Sequence, residues 1–389
     1  MNSLSKSIVL LALFLGFTSL SSLYGQISLQ DGLVAYYPLD GDARDLGGHC
    51  LNGVVYGAEG TKGISGEFLD AMQFDGKDDY IEIPHNQLFN IGDNQDFSIS
   101  FWARMSQKQM DMDTVDNDII SKWVIDDKSM DHLKEGYPFT FRVMNHKRKQ
   151  KKALVAANFG GYTFGCKGAT TLRGNLLSQK ETFDHVLLVV KSGKFFLYIN
   201  GKMANRKGSG VFCSTANEAP LRIGKRGGSD FQNHFAGAVD NLAIYNRALS
   251  DEEITIVSNR EFDLEDILNT ESKELVKSDT LFFDDNVFKL TSKQRVALSD
   301  FHKYLEVGNQ YYLLIEGHSN GIPDDDFCDE LSFKRAKVVE DYLKALGVSC
   351  NKITTKGLGK RKQIASNKSH ILRKKNQRAE ISLYKIIRA

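Results

Sequence analysis

The chain has 389 residues, a formal charge of +1 and a hydrophobic fraction of 41%. At about 100–200 residues per domain, this length predicts two domains that each bury their own core. The near-neutral charge gives no reason to expect nucleic acid as a partner, and the composition is too rich in core-forming residues for a disordered chain.

Residues 1–25 have the pattern of a secretory signal peptide. Lys6 supplies a positive start, an apolar run extends from Ile8 to Phe17, and Gly25 offers a small residue for cleavage. The run is too short to span a bilayer, and the sequence has no later run of about 18 apolar residues. We therefore expect an exported protein whose mature chain has no transmembrane segment.

Export makes disulfides feasible, and the five cysteines show no metal-type spacing such as Cys-x-x-Cys. We therefore expect no zinc site. Cys166 and Cys213 are the best candidates for a bridge. Cys328 and Cys350 flank a predicted helix, whose rise of about 1.5 Å per residue places them too far apart to bridge each other.

Short apolar runs separated by Gly, Asp and Asn fill residues 28–250, a pattern typical of an antiparallel all-β sandwich. Within Phe97–Ala103 the large apolar residues alternate, so one face of this predicted strand should lie in the core. Asn200-Gly201 predicts a tight hairpin between two strands.

Residues 251–275 are charged and predict a short helix followed by a linker. From 276 to 389 strand-like and helix-like patterns alternate, which predicts an α/β domain. Its predicted strands and helices lie at 280–283, 292–306, 311–316, 329–346, 353–356 and 379–387.

Five stretches of the first domain resemble the LamG-like family of concanavalin A-like jelly rolls. They are GLVAYYPLDGDARDLGGHCLNG (32–53), FDGKDDYIEIP (74–84), DFSISFWARM (96–105), FLYINGK (196–202) and FAGAVDNLAIYNRALSDEEI (235–254). The last stretch is the most specific. The resemblance implies a jelly-roll sandwich that binds a polysaccharide or a protein ligand.

The same resemblance marks Asp45 and Asp240 as positions where this family often binds calcium through acidic side chains and loop carbonyls. The alternative is that both carboxylates bond the backbone of their own turns. We expect no other cofactor.

A strongly basic run between two predicted strands contains Lys147, Arg148, Lys149, Lys151 and Lys152. One interpretation is a solvated hairpin tip. The other is a contact for an anionic glycan or a lipopolysaccharide phosphate, because clustered cationic side chains attract polyanions.

Five stretches of the second domain resemble the OmpA-like domain that holds outer-membrane proteins to peptidoglycan. They are FFDDN (282–286), IEGHSN (315–320), DELSFKRAKVVEDYLKALGV (329–348), ITTKGLGKRKQIASN (353–367) and NQRAEISL (376–383). Their order, spacing and residue types agree together. The resemblance implies an α/β domain that binds the diaminopimelate stem peptide of peptidoglycan, in a periplasmic protein associated with the cell wall and the outer membrane.

In that family an asparagine after the first strand, an aspartate that ends the Gly-His-Ser/Thr-Asp motif and a helical arginine line the diaminopimelate site. The matching positions hold Asn286, Asn320 and Arg335, and Arg378 of the basic C-terminal tail is a further candidate contact. A planar guanidinium suits a carboxylate, which it can hold with two parallel bonds. Asn320 replaces the family's aspartate and lacks the charge that would pair with the ligand's ammonium.

Two more departures from the family lie close to these positions. Cys328 stands where the family usually has asparagine, and Gln363 replaces a proline. Asp324, Asp325 and Asp326 belong to the same loop, where they either restore the negative charge or leave the peptidoglycan contact weakened.

Together these patterns predict a non-enzymatic adaptor of the cell envelope with a peptidoglycan-binding domain and a ligand-binding sandwich. The alternative is an envelope-tethered, polysaccharide-cleaving enzyme of jelly-roll fold. Hydrolysis needs two carboxylates beside the scissile bond, and the Glu-x-Asp-x-x-Glu pattern of jelly-roll hydrolases does not occur in the sequence.

Overall fold

The computed structural model describes residues 29–387 except 68, 93–94, 112–113, 123–138, 147–153, 161–168, 176–181, 209–216, 228–233, 261–271, 307–309 and 321–324. The predicted signal peptide, the basic run at 147–152, Cys166 and Cys213 lie outside the described residues. Within the described ranges, no helix combines the length and the apolarity that a bilayer crossing needs.

The first domain is a sandwich of two antiparallel sheets. Its strands are β1 (Leu33–Tyr37), β2 (Val54–Tyr56), β3 (Glu59–Thr61), β4 (Ala71–Asp75), β5 (Tyr80–Ile83), β6 (Phe97–Met105), β7 (Thr114–Lys122), β8 (Phe139–His146), β9 (Leu154–Gly160), β10 (Ala169–Asn175), β11 (Asp184–Lys191), β12 (Lys194–Ile199), β13 (Lys202–Gly208), β14 (Leu221–Ile223) and β15 (Ala236–Tyr245). One sheet has the order β13-β12-β11-β6-β15-β4-β3 with β1 also paired to β15, and the other has the order β10-β9-β8-β7-β14-β5-β2. A short helix, α1 (Gln107–Asp111), lies between β6 and β7.

Strand β6 shows why the two sheets pack face to face. Phe97, Ile99, Phe101 and Ala103 are buried in the apolar cluster between the sheets. Side chains two residues apart project from the same face of a strand, so this burial follows from the alternation in the sequence. The structure confirms that prediction.

The hairpin between β12 and β13 is also confirmed. Asn200 and Gly201 have φ angles of 50° and 71°, the left-handed conformation that a two-residue hairpin turn requires. Asparagine and glycine adopt this conformation more readily than other residues, which is why the dipeptide was informative in the sequence.

A short helix, α2 (Asp251–Val257), closes the outer side of the eight-stranded sheet. The Ser250 hydroxyl accepts from the Glu253 N–H at 3.2 Å, and the Glu253 carboxylate accepts from the Ser250 N–H at 2.8 Å. Ile254 and Ile256 then pack with Tyr245 in a second apolar cluster. The helix therefore belongs to the first domain.

The second domain is a four-stranded sheet with helices on one face. Its elements are β16 (Ser272–Phe282), α3 (Ser292–Glu306), β17 (Tyr311–His318), α4 (Asp325–Ala345), β18 (Ile353–Gly357), α5 (His370–Asn376) and β19 (Arg378–Ile387). The strand order is β16-β19-β17-β18, in which only β17 and β18 are parallel among the described pairs. Leu298 and Phe301 of α3 and Val339 of α4 cover Leu313 and Ile315 of β17. The predicted order, an all-β sandwich followed by an α/β domain, is confirmed.

Strand β16 is longer than the sequence indicates. It begins at Ser272 and pairs with β19 along its whole length, from Ser272 opposite Ile387 to Phe282 opposite Arg378. Leu275 and Val276 are exposed, so this part of the strand has no core-facing alternation to reveal it. Residues 272–275, which we predicted to be linker, belong to the second domain.

A disulfide joins the two domains. Cys50, which follows β1, is bonded to Cys350, and their Cα atoms are 5.9 Å apart. Cys328 lies buried inside α4 as a free thiol and is not bonded to Cys350, as the sequence predicts. The partner of Cys350 was not predicted, because the bridge spans 300 positions and no local pattern connects its ends.

Replacing Ser250 with alanine should remove the cap of α2 and lower the free energy of unfolding of the first domain by about 1 kcal/mol. Urea denaturation followed by tryptophan fluorescence measures this, because Trp102 and Trp123 both belong to the sandwich sequence. Thr255→Ala, which removes an exposed hydroxyl from the same helix, should change stability by less than about 0.5 kcal/mol. Equal losses in the two variants would contradict the capping role.

Candidate functional site

Arg335, at the middle of α4, has a completely buried side chain that joins three parts of the second domain. Its Nε donates to the Val287 carbonyl at 3.0 Å, Nη1 to the His318 carbonyl at 3.0 Å and Nη2 to the Asp284 carbonyl at 3.1 Å. Nη2 also donates to Gln377 Oε1. The turn after β16, the end of β17 and the residue before β19 are thus held by one guanidinium.

The Arg335 guanidinium is a fixed positive charge. Burial lowers its pKa to about 10, while Asp285 favours the charged form, so it stays protonated at neutral pH. It also lies 5.6 Å from the centre of the Phe283 ring. An arginine has five N–H donors, so one hydrogen of Nη1 has no acceptor within the described part of the chain.

Asn286 lies in the turn whose neighbouring carbonyls bind Arg335. Its φ angle is 57°, a left-handed conformation that asparagine tolerates better than most residues, and its side chain is exposed. The preceding Asp285 accepts hydrogen bonds from Gln377 Nε2 and, at 2.8 Å, from His370 Nε2. The bond from His370 lowers the pKa of Asp285. The turn therefore presents an exposed amide, and its Asp285 carboxylate is linked through Gln377 to the buried cation.

Asn320 follows β17 at the same end of the sheet and is only 9% exposed. Its carbonyl accepts from Gln363 Nε2 at 3.3 Å and from Asn367 Nδ2. Gln363 therefore donates a hydrogen bond that a proline could not donate. Asp324 and the side chains of residues 325 and 326 lie outside the described residues, so a compensating charge from them stays a prediction.

Arg378 begins β19 and is 1% exposed, so it is not part of a solvated tail. Its Nε donates to Glu380 Oε1 at 2.6 Å, and its Nη2 donates to the Lys362 carbonyl at 2.9 Å. Across the strand pair it lies opposite His318. The structure places Arg378 in an ion pair of the sheet, and its contact with peptidoglycan stays a prediction.

A cavity of about 390 Å³ adjoins the Arg335 turn. Asp284 and Val287 line it together with three lysines, Lys289, Lys374 and Lys375, and Lys374 pairs with Asp284 at 2.7 Å. The lysines give this cavity a positive rim, which favours anionic groups.

Asp45 in the first domain organises the loop after β1. It is 4% exposed, and its Oδ1 accepts from the Tyr36 and Gly47 N–H groups at 3.0 and 2.7 Å. Its Oδ2 accepts from the Leu51 N–H at 3.0 Å. These bonds give the carboxylate a structural role without a metal.

Asp240 is fully buried on β15. Its Oδ2 accepts from the Ile64 N–H at 2.8 Å, and a Cβ atom at Gly63 would come within 2.5 Å of the same oxygen. The backbone at 63–64 is therefore closely packed on this carboxylate. Calcium binding at Asp45 and Asp240 stays a prediction.

Three carboxylates that the sequence did not mark as ligands meet in the turn between β4 and β5. Oxygens of Asp75, Asp78 and Asp79 lie within 4.8 Å of one another. Asp75 Oδ1 accepts from the Lys77 N–H, and Asp79 Oδ2 from the Asp75 N–H, both at 2.8 Å. The cluster is a hydrogen-bonded turn.

The outer face of the seven-stranded sheet carries an aromatic and charged patch. Tyr56 and Tyr80 stack with ring centres 4.5 Å apart, and Lys225 lies 4.4 Å from the centre of Tyr80. Beside them Arg222 pairs with Glu82 at 2.9 Å. Tyr56 is 43% exposed, so the patch presents a ring to solvent.

Comparison with known proteins agrees with the two-domain order. A profile of the Concanavalin A-like lectin/glucanases superfamily matches residues 75–255, and a profile of the OmpA family matches residues 282–377. Over 117 residues the chain is 31% identical to the peptidoglycan-associated lipoprotein of Buchnera aphidicola subsp. Baizongia pistaciae, covering 30% of this chain and 68% of that protein. The chain belongs to the OmpA family.

The OmpA domain also has a relative in the outer-membrane lipoprotein YfiB of Pseudomonas aeruginosa, with 29% identity over 133 residues, 34% of this chain and 77% of that protein. Among solved structures, the binding domain of Paraclostridial Mosquitocidal Protein 1 matches with a TM-score of 0.45 and 18% identity, covering 66% of this chain. The match spans 59% of that structure's chain. A TM-score this low says nothing about a ligand.

Sequence reasoning missed Asp285, His370 and Gln377 of the OmpA domain. Asp285 and Gln377 occur in the stretches FFDDN and NQRAEISL that carry the family resemblance. Asp285 contacts His370 and Gln377, which lie 85 and 92 positions later in the chain. No local pattern in the sequence could reveal such contacts.

His318 should make the OmpA domain sensitive to acid. Burial, followed by the Arg378 charge, lowers the pKa of His318 to about 4. The unfolded chain binds this proton near pH 6.5 and the folded chain does not, so stability is full above that pH and falls as the pH drops towards 4. We expect His318 to account for a loss of about 2 kcal/mol between pH 7 and pH 5.

Urea denaturation at the two pH values, followed by circular dichroism of the helices, tests this. His318→Gln should lose about 2 kcal/mol less than the natural protein between pH 7 and pH 5. Equal losses in both proteins would show that His318 titrates normally in the fold.

Proposed function

We propose that the exported protein is a non-enzymatic adaptor that binds peptidoglycan through its OmpA domain and a second ligand through its sandwich. The observation that carries this proposal is Arg335, which stands at the family's ligand position as a buried charge held by four hydrogen bonds. Membership of the OmpA family and similarity to a peptidoglycan-associated lipoprotein support it. The mature protein would then act in the periplasm, at the cell wall and the outer membrane.

Diaminopimelate carries a carboxylate and an ammonium that need opposite partners. Arg335 attracts the carboxylate, and its spare Nη1 hydrogen and the exposed Asn286 amide can donate to it. The family resemblance implies that Arg335 holds the carboxylate with two parallel bonds. For this, the Arg335 guanidinium would have to release one of its protein acceptors. Binding therefore draws on a charge that is already in position.

The ligand's ammonium needs a negative partner, which Asn320 does not supply. Asp285 precedes Asn286 and is linked to Arg335 through Gln377. The Asp285 side chain is 49% exposed, so the ammonium of a ligand can reach its carboxylate. We infer that Asp285 contributes the negative end of the site and that Asn320 keeps only an acceptor oxygen.

For the sandwich, a glycan ligand is favoured by the patch of Tyr56, Tyr80, Arg222, Glu82 and Lys225. Exposed aromatic rings next to charged groups suit a ligand with both apolar faces and hydroxyls, such as a sugar. Calcium at Asp45 and Asp240 and a polyanion contact at 147–152 are proposed as secondary features of this domain.

Co-sedimentation with purified, diaminopimelate-containing sacculi tests the cell-wall contact. Asn286→Gly keeps the left-handed turn but removes the exposed amide, and we expect about fivefold weaker binding from the loss of one hydrogen bond. Arg335→Ala should weaken binding most. Arg295→Ala, at an exposed arginine on α3, is the control and should bind like the natural protein. Absence of binding by the natural protein at low salt would overturn the proposal.

Restoring the family's aspartate tests the role of Asn320. If the missing charge limits affinity, Asn320→Asp should bind free diaminopimelate about tenfold more tightly, since a charge-assisted bond exceeds a neutral one by about 1.4 kcal/mol. If Asp285 already supplies the charge, the added carboxylate repels it and affinity stays level or falls. We expect the second result in calorimetry on the full-length protein. A tenfold gain would show that Asp285 does not pair with the ligand.

A further inference from the structure

Arg44 of the sandwich reaches into the OmpA domain. Its Nη2 donates to the Thr355 carbonyl at 2.5 Å, and its Nη1 lies 3.8 Å from Glu340 Oε2. The guanidinium carbon is 5.9 Å from the centre of the Phe333 ring. Only 13% of the Arg44 side chain is exposed, so this arginine is buried between two domains rather than within one.

Both sides of this contact are braced. Within the sandwich, Arg44 Nε lies 2.5 Å from Asp42 Oδ2. On α4, Glu340 is 2% exposed, accepts from Thr355 Oγ1 at 3.0 Å and pairs with Lys337 and Lys344. Burial alone would raise the pKa of Glu340, but Arg44 and the two lysines hold it below its usual value. The pair is therefore charged at neutral pH.

Two further contacts join the domains. One is the Cys50–Cys350 disulfide, with Ser349 Oγ 3.9 Å from Cys50 Sγ. In the other, Glu67 of the sandwich lies 3.3 Å from Arg361 Nε, and Arg361 makes two bonds of 2.9 Å to Asp329 of α4. Three separate points of the sandwich thus touch the OmpA domain.

We propose that these contacts form an interdomain clamp that holds the two domains as one rigid body, with Arg44 as the positioning residue and the Cys50–Cys350 bond as its covalent lock. Closing the lock converts two thiols to a disulfide. The two electrons and two protons pass to a disulfide-bearing oxidant, which becomes a dithiol by thiol–disulfide exchange. The clamp does not depend on peptidoglycan binding.

The clamp fixes the orientation of the sandwich relative to the OmpA domain. Domains joined by a linker move relative to each other unless a substantial contact prevents it. Because α4 carries both Glu340 and Arg335, a fixed contact at Glu340 fixes the direction of the sandwich relative to the Arg335 site. Reduction of the lock leaves the weaker Arg44 and Glu67 contacts alone to hold this direction.

The Arg44 contact and the disulfide are thermodynamically coupled, which makes the clamp measurable. If Arg44 holds the two domains together, it raises the effective concentration of the Cys50 thiol at the Cys350 thiol. The disulfide must then strengthen the contact between the domains by the same factor. Equilibrating the full-length protein in glutathione buffers of graded redox ratio, followed by thiol labelling and peptide mapping, gives this effective concentration. Arg44→Ala should lower it about tenfold.

Arg222→Ala is the matched control, because Arg222 forms an ion pair inside the sandwich and its side chain is 15% exposed, close to the value for Arg44. It should leave the disulfide equilibrium unchanged. Glu340→Gln removes the opposite charge with nearly the same shape and should lower the effective concentration about threefold. This variant carries the test if Arg44→Ala does not fold.

Solution scattering gives a second readout. Cys50→Ser alone should keep a compact shape through Arg44, and Cys50→Ser combined with Arg44→Ala should show a larger maximum dimension. The proposal is overturned if peptide mapping finds free thiols at both positions after oxidative equilibration, or finds the bridge between two copies of the chain. It is also overturned if Arg44→Ala and Arg222→Ala have the same disulfide equilibrium.

Discussion

Burying the Arg335 guanidinium imposes the constraint on which the OmpA domain depends. A charge removed from water is tolerated only where acceptors surround it, and Arg335 finds them at Asp284, Val287, His318 and Gln377. Those acceptors come from segments far apart in the chain. Satisfying one side chain therefore brings together the turn, the strand end and the helix end that frame the proposed ligand site.

The same constraint shapes the chemistry of the site. The cation is in position before a ligand arrives, although a two-bond grip on a carboxylate would require it to release one protein acceptor. In the proposed site, Asp285 rather than the residue at position 320 supplies the negative end. Asn320 is neutral, whereas Asp285 is tied to Arg335 through Gln377 and held as a carboxylate by His370. The departures at Asn320 and Gln363 are joined by the hydrogen bond that Gln363 Nε2 donates to the Asn320 carbonyl, so they are not independent losses.

A second buried arginine repeats this arrangement between the domains. Arg44 is enclosed by Asp42, Glu340 and the Thr355 carbonyl, two of which lie across the interface. Near it the Cys50–Cys350 bridge closes a loop of 300 positions. An adaptor built this way would transmit the orientation of its cell-wall domain to its sandwich, which a flexible linker alone could not do.

The sequence by itself determined the order of the domains, the sandwich and the α/β fold, because periodic burial and turn chemistry are local. The alternation in Phe97–Ala103 and the Asn200-Gly201 turn needed no knowledge of distant residues. The resemblance to the OmpA family likewise marked Arg335 as a candidate site residue. Only the tertiary structure decided the length of β16, the burial of Arg378 and the partner of Cys350. Each of these depends on residues that are distant in the chain and adjacent in space. Strand pairing, the burial of a charged side chain and disulfide formation join such residues, and no local sequence pattern indicates which ones will meet.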